Sequence, residues 1–187
     1  MAEAAKREAT YQDLFDLPEN TTGEIINGEL IVTPRPSRKH VYTASALGSE
    51  IGPPFQFGRG GGPGGWIILI EPEIKLGENI LVPDLAGWKR GRFPASEETN
   101  WISVAPDWVC EVLSPSTETI DRGDKVPLYA SQGISHAWLM SPATRVLEVL
   151  ELDGRTYRIV STFKNDERAR AKPFDSIELD LAALWAR

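Results

Sequence analysis

The segment Trp108-Val109-Cys110-Glu111-Val112-Leu113 is apolar except for one glutamate, and Pro106 and Ser114-Pro115 bound it. A short apolar run between such punctuation reads as a buried strand. Alternation puts Val109, Glu111 and Leu113 on one side and Trp108, Cys110 and Val112 on the other, so neither side looks like solvent. An ionised carboxylate there is costly unless something compensates it. A second acid, Asp84, interrupts another strand-like run, Ile80-Leu81-Val82-Pro83-Asp84-Leu85-Ala86. Two acids on apolar strands point to a site in which a cation is the compensation.

The 187 residues fit one domain with a sizeable core, and no domain break or internal repeat interrupts them. The longest apolar runs fall far short of the roughly 20 residues that a membrane span needs. The N-terminal MAEAAKREAT lacks the apolar stretch of a signal peptide. The single cysteine, Cys110, excludes an internal disulfide and a cysteine-based zinc site, and the expected location is the reducing cytoplasm. A net charge of −7 argues against general nucleic-acid binding, which usually needs a basic face. It does not exclude a nuclease, because acidic active sites add negative charge that a metal ion reverses locally.

Thr10 to Leu17 is expected to form a short helix capped by Thr10. Glu24 to Val32 reads as a hairpin around Asn27-Gly28. Ser37 to Ile51 has Val41, Ala44, Leu47 and Ile51 at helical spacing, with Ser37 as the cap. The Gly/Pro-rich stretch from Gly52 to Gly65 reads as a mobile loop without regular structure; it lacks the G-K-[ST] of a phosphate loop. Trp66 to Leu76 and Ile80 to Trp88 form a hairpin. A polar loop over Lys89 to Asn100 leads to the buried strand, Asp107 to Leu113. A helix runs from Asp121 to Gln132, and Pro127, tolerable in a first turn, puts its start near Asp124 to Val126. A strand over Ser135 to Met140, a hairpin of Val146 to Leu152 with Thr156 to Phe163, and a closing helix over Asp180 to Trp185 complete the chain. The class is α+β: a central mixed sheet flanked by helices, with a C-terminal hairpin.

Asp84 and Glu111 suit adjacent strands joined by the intervening loop. Two hard oxygen ligands so placed can hold Mg²⁺ or Mn²⁺, leaving positions for water and a phosphate oxygen. Such an ion activates water and stabilises a leaving oxygen in phosphodiester hydrolysis. The competing reading has Asp84 capping a turn and Glu111 on a half-exposed strand. Lys125 shares a helix face with Asp121 and with Tyr129, four residues to either side. It is either a surface ion-pair partner or an ammonium aimed at a scissile phosphate.

Three segments together carry a resemblance: G-E-I-I-N-G-E-L, V-P-D-L, and W-V-C-E-V-L-S-P-S-T followed by D-R-G-D-K and Y-A-S-Q-G. They resemble the Uma-type restriction endonucleases, a bacterial branch of the PD-(D/E)XK nuclease superfamily, over about Leu14 to Leu152. The resemblance implies an α/β/α-like restriction-endonuclease core, with Asp84 and Glu111 as the metal-binding acids. The superfamily's lysine is expected two residues after Glu111, where this chain has Leu113; Lys125 looks like its migrated replacement. A helix glutamate that assists the metal is implied as well, and Glu50 is the candidate. Glu71 faces either the site or solvent. His40 reads as a polar residue near a helix start, within reach of a phosphate. Arg35, Arg38 and Lys39 form a compact basic cluster suited to substrate contact.

The leading expectation is therefore a Mg²⁺- or Mn²⁺-dependent endonuclease acting on DNA, with Asp84, Glu111, Lys125 and Glu50 at its centre and a homodimer for cutting both strands. The alternative is a catalytically silent protein of the same fold that binds or regulates another protein. A third reading, a small phosphate ligand held by the Gly-rich loop, has only Arg59 as a cation.

Overall fold

The computed structural model describes residues 7–95 and 98–185. After one 3₁₀ turn at Tyr11–Leu14, strands β1 (Thr21–Ile26) and β2 (Glu29–Pro34) form the Asn-Gly hairpin. Asn27 and Gly28 both have positive φ, 51° and 79°, as a two-residue hairpin turn requires. Helix α1 (Arg38–Ile51) follows, its N-terminus capped by the Ser37 side chain, which accepts from the His40 N–H. Its buried positions are His40, Thr43, Ala44, Leu47 and Ile51, while Val41 is exposed. The apolar stripe thus starts at His40, not at Val41.

Gly52–Gln56 is helical, which corrects the expectation of a wholly irregular Gly/Pro stretch. It is a π turn that prolongs α1, and Pro53 and Pro54 fall at its first positions, where a missing N–H is tolerated. Burial explains why the chain stays wound. Phe55 is 1% exposed and lies 4.6 Å from the Phe174 ring. The glycines beyond fold back on the turn: the Gly64 N–H donates to the Pro54 carbonyl at 2.9 Å, and a Cβ on Gly62 would fall 2.3 Å from Pro54.

The expected middle hairpin is broken in both arms. Its strands are β3 (Trp66–Ile70), β4 (Ile74–Leu76), β5 (Asn79–Leu81) and β6 (Leu85–Lys89). The outer halves, β3 and β6, pair within one sheet, while β4 and β5 pair within another. One arm bends at Glu71, whose φ is 48°, and the other at Val82-Pro83-Asp84, where Pro83 has no N–H for a ladder. The Glu71 N–H donates to the Asp84 carbonyl at 3.0 Å and ties the two bends together.

Strand β7 (Trp108–Val112) is buried throughout. The next helix is continuous from α2 (Glu118–Ile120) through a π turn (Asp121–Lys125) to α3 (Val126–Ser131). It starts before the position inferred from Pro127, because the wider π turn just ahead relaxes the i−4 pairing that proline would break. Strand β8 (His136–Ser141) then lies parallel to β7, and the β9 (Val146–Asp153) and β10 (Thr156–Lys164) hairpin follows. Two short strands, β11 (Arg168–Ala169) and β12 (Leu179–Asp180), form a ribbon not foreseen from sequence. The expected closing helix is a single 3₁₀ turn, Leu181–Ala183.

The mixed six-stranded sheet has the order β10-β9-β8-β7-β6-β3, and the four-stranded sheet the order β2-β1-β5-β4. The C-terminal hairpin is therefore part of the central sheet. One face packs on α1 and the C-terminal segment through Leu47, Ile51, Trp108, Trp138 and Phe174. The other packs on α3 and the small sheet through Trp88, Val109, Leu113 and Tyr129. Both faces of β7 are buried, as its composition implies, and Gly87 leaves room for the rings of Trp108 and Trp66 against β6.

Phe55→Ala is expected to lower unfolding free energy by about 3–5 kcal/mol in urea titrations, the usual cost of emptying a buried aromatic site. Phe57→Ala, two residues on and 60% exposed, should cost less than about 0.5 kcal/mol.

Candidate active site

The bends that split the middle hairpin create the site. Leu85 pairs with Cys110, so one further step of the antiparallel register sets Asp84 opposite Glu111. Alternation gives both acids the same face of the sheet. Because β6 ends at Leu85, the Val112 N–H has no strand partner on that side, and it donates to Asp84 Oδ2 at 2.6 Å. Asp84 Oδ1 contacts His40 Nε2 at 2.5 Å. His40 is thus a buried partner of the acid, which corrects its reading as a polar helix residue. Burial opposes protonation of the His40 ring, but the hydrogen bond to Asp84 and the charges of Asp84, Asp121 and Glu71 outweigh it, and its pKa is raised.

Glu111 is 3% exposed, and its Oε1 accepts from Tyr129 Oη at 2.5 Å and Lys125 Nζ at 2.9 Å. Lys125, 2% exposed, also meets Glu24 Oε1 at 3.0 Å, Asp121 Oδ1 at 3.8 Å and the Val82 carbonyl at 3.4 Å. Burial pushes the Glu111 carboxyl well above its usual range, and Lys125 only partly offsets this. Burial acts to discharge Lys125, but Glu111 and Glu24 overcome it and hold its pKa well above normal. Asp121 is pushed up to about 6, chiefly by burial.

One cavity of 310 Å³ collects these groups: Glu24, His40, Asp84, Glu111, Asp121 and Lys125 line it, with Glu71. Glu50 does not join them. It is exposed on α1 and absent from the cavity wall. The glutamate found there is Glu24, on β1, which sequence reasoning treated as part of a hairpin. Its signal was present: Glu24 alternates onto the same side as the buried Ile26. His40 likewise falls on the helical stripe of Ala44, Leu47 and Ile51.

The donors are hard carboxylate oxygens, the set that suits Mg²⁺ or Mn²⁺. Among the described residues no group of three or more His, Cys, Asp or Glu forms a ready-made metal cage. Asp84 and Glu111 would contribute as a pair, with Asp121 and Glu71 as further oxygens in the wall.

The same fold occurs in a crystal structure from Anabaena variabilis described as a "putative nuclease belonging to DUF820". The TM-score is 0.75 at 24% identity, covering 95% of this chain and 97% of that one. Residues 10–182 match the Uma2 family, described as "Putative restriction endonuclease", and the chain belongs to that family. No curated protein matches it. Among the described residues no helix is long and apolar enough to cross a membrane.

Asp121 supplies a pH test. Its folded pKa of about 6 lies above the ordinary 3.8, so the native state binds the proton more tightly than the unfolded chain. Stability attributable to Asp121 therefore falls as pH rises from about 3.8 through about 6. In urea titrations at pH 4 and pH 8, Asp121→Asn should flatten this fall, so that the stability of the variant relative to wild type rises by on the order of 3 kcal/mol from the lower pH to the higher.

Proposed function

We propose that this protein is a divalent-metal-dependent endonuclease that hydrolyses phosphodiester bonds in DNA, with Asp84 and Glu111 as metal ligands and Lys125 as the cationic group of the reaction. The convergence of these three side chains, from separate elements, on one cavity supports the reading most directly. Family membership supports the nuclease class. When bound, Mg²⁺ or Mn²⁺ supplies a water of lowered pKa and charge stabilisation at the phosphate.

The protein's own groups prepare the rest. His40 and the Val112 N–H fix Asp84 through both of its oxygens. Tyr129 fixes Glu111. Glu24 holds Lys125 through a contact independent of Glu111, so the ammonium keeps one anchor when Glu111 engages a cation. Lys125 then donates to the scissile phosphate or the attacking water, where a charge-assisted hydrogen bond stabilises developing negative charge. Glu50 has no place in this scheme. Cutting both strands of a duplex calls for a second copy of the site, hence a homodimer.

The net charge of −7 favours a second reading, a catalytically silent module of the same fold. Metal-linked DNA affinity separates the two. Calorimetry should show Mn²⁺ binding to wild type and its loss in Asp84→Ala. Lys125→Gln should retain Mn²⁺ binding and abolish cleavage of plasmid DNA. Ca²⁺ should raise DNA affinity without cleavage, and unchanged affinity with Ca²⁺ and Mg²⁺ at low salt would leave the silent module in place of the nuclease.

A further inference from the structure

The cavity that holds Asp84 and Glu111 does not end at the acids. A second cavity of 330 Å³ lies beside it, lined by Leu14, Leu17, Pro18 and Glu19 among others. Thr22, Arg35, Glu71 and Val82 line both, so the two cavities adjoin and lie along one path. Most ionisable groups along this path are acids: Glu24, Asp84, Glu111 and Asp121 in the first cavity, Glu19 and Glu73 in the second, and Glu71 in both. Such a path repels a polyanion unless a fixed cation offsets it.

Among the described residues, only two of the lysines and arginines line it. Lys125 is buried and committed to Glu111 and Glu24. Arg35 is exposed, and no described residue forms a salt bridge or side-chain hydrogen bond with its guanidinium. Its backbone is held in place. Pro34 and Pro36 flank it, fixing φ on both sides, and its N–H donates to the Asn20 carbonyl at 3.2 Å. Arg38 and Lys39, its neighbours in the basic cluster, are exposed on the first turn of α1 and line neither cavity.

We infer that Arg35 is the phosphate clamp of the substrate path: its guanidinium binds a backbone phosphate of the DNA strand where the two cavities meet, beside the carboxylate cluster. A guanidinium fork matches two phosphate oxygens in one plane and stays charged at every relevant pH. The inference rests on the nuclease reading and adds the residue that lets an acidic protein hold its substrate.

The test is binding of a fluorescent DNA duplex to the full chain in Ca²⁺, over a series of salt concentrations. Arg35→Ala should weaken the dissociation constant about tenfold or more, the scale of a lost charge-assisted hydrogen bond. The slope of log affinity against log salt should shrink by about one unit, as for one lost phosphate contact. Calorimetric Ca²⁺ affinity and the melting temperature should stay at wild-type values, Arg35→Lys should restore the salt slope but only part of the affinity, and Arg38→Ala should change little. Wild-type affinity and slope in Arg35→Ala would overturn the clamp while leaving the nuclease reading intact. Equal losses in Arg35→Ala and Arg38→Ala would also overturn it, since they report a diffuse field. If wild type itself fails to bind DNA in Ca²⁺, both readings fall.

Discussion

The burial of the Lys125 ammonium is the constraint around which the rest of the site is arranged. A charge 2% exposed survives only among partners, and here Glu24, Glu111 and Asp121 surround it from β1, β7 and its own helix. Each partner would be costly alone, since burial pushes Glu111 and Asp121 toward their neutral forms. The network thereby fixes the small sheet against the helix and the large sheet. Removing Lys125 would leave three buried acids without their shared cation, so the cluster specifies a mutual position of three elements more than it adds net stability.

The backbone breaks serve the same end. A continuous hairpin from Trp66 to Trp88 would have paired Asp84 into a ladder. The bends at Glu71 and Pro83 pass the chain from one sheet to the other, free the Val112 N–H, and hand it to the Asp84 carboxylate. The π turn at Asp121–Lys125 has a comparable effect on the other wall, because it rotates the helix just where Asp121 and Lys125 enter the cluster. Irregular backbone thus meets the site on both walls, while β7 and β8 between them pair in an unbroken register.

The resulting cleft is strongly acidic. Glu24, Asp84, Glu111 and Asp121 exceed what Lys125 and a protonated His40 can neutralise. In the proposed nuclease reading, a divalent ion and Arg35 would supply what is missing. That reading would reconcile a net charge of −7 with a polyanionic substrate: the repulsion is general, and the attraction would be confined to one path.

By itself the sequence determined the elements whose signals are local. The Asn27-Gly28 hairpin, the Ser37 cap, the doubly buried β7 with Glu111 inside it, and the β9–β10 hairpin all follow from turn chemistry and periodicity. Asp84 and Glu111 stood out because acids in apolar strands demand compensation; Lys125 stood out by its helix spacing to Asp121 and Tyr129, and motif resemblance gave it the role of the migrated lysine. Tertiary structure decided what depends on long-range packing. Phe55 keeps Gly52–Gln56 helical because the Phe174 ring covers it, a contact invisible to local propensity. His40 and Glu24 join the site, and Glu50 stays out, because the two sheets and α1 meet at one end. Glu24 lies 101 residues before Lys125, and only the fold that brings β1 against the helix makes them a pair.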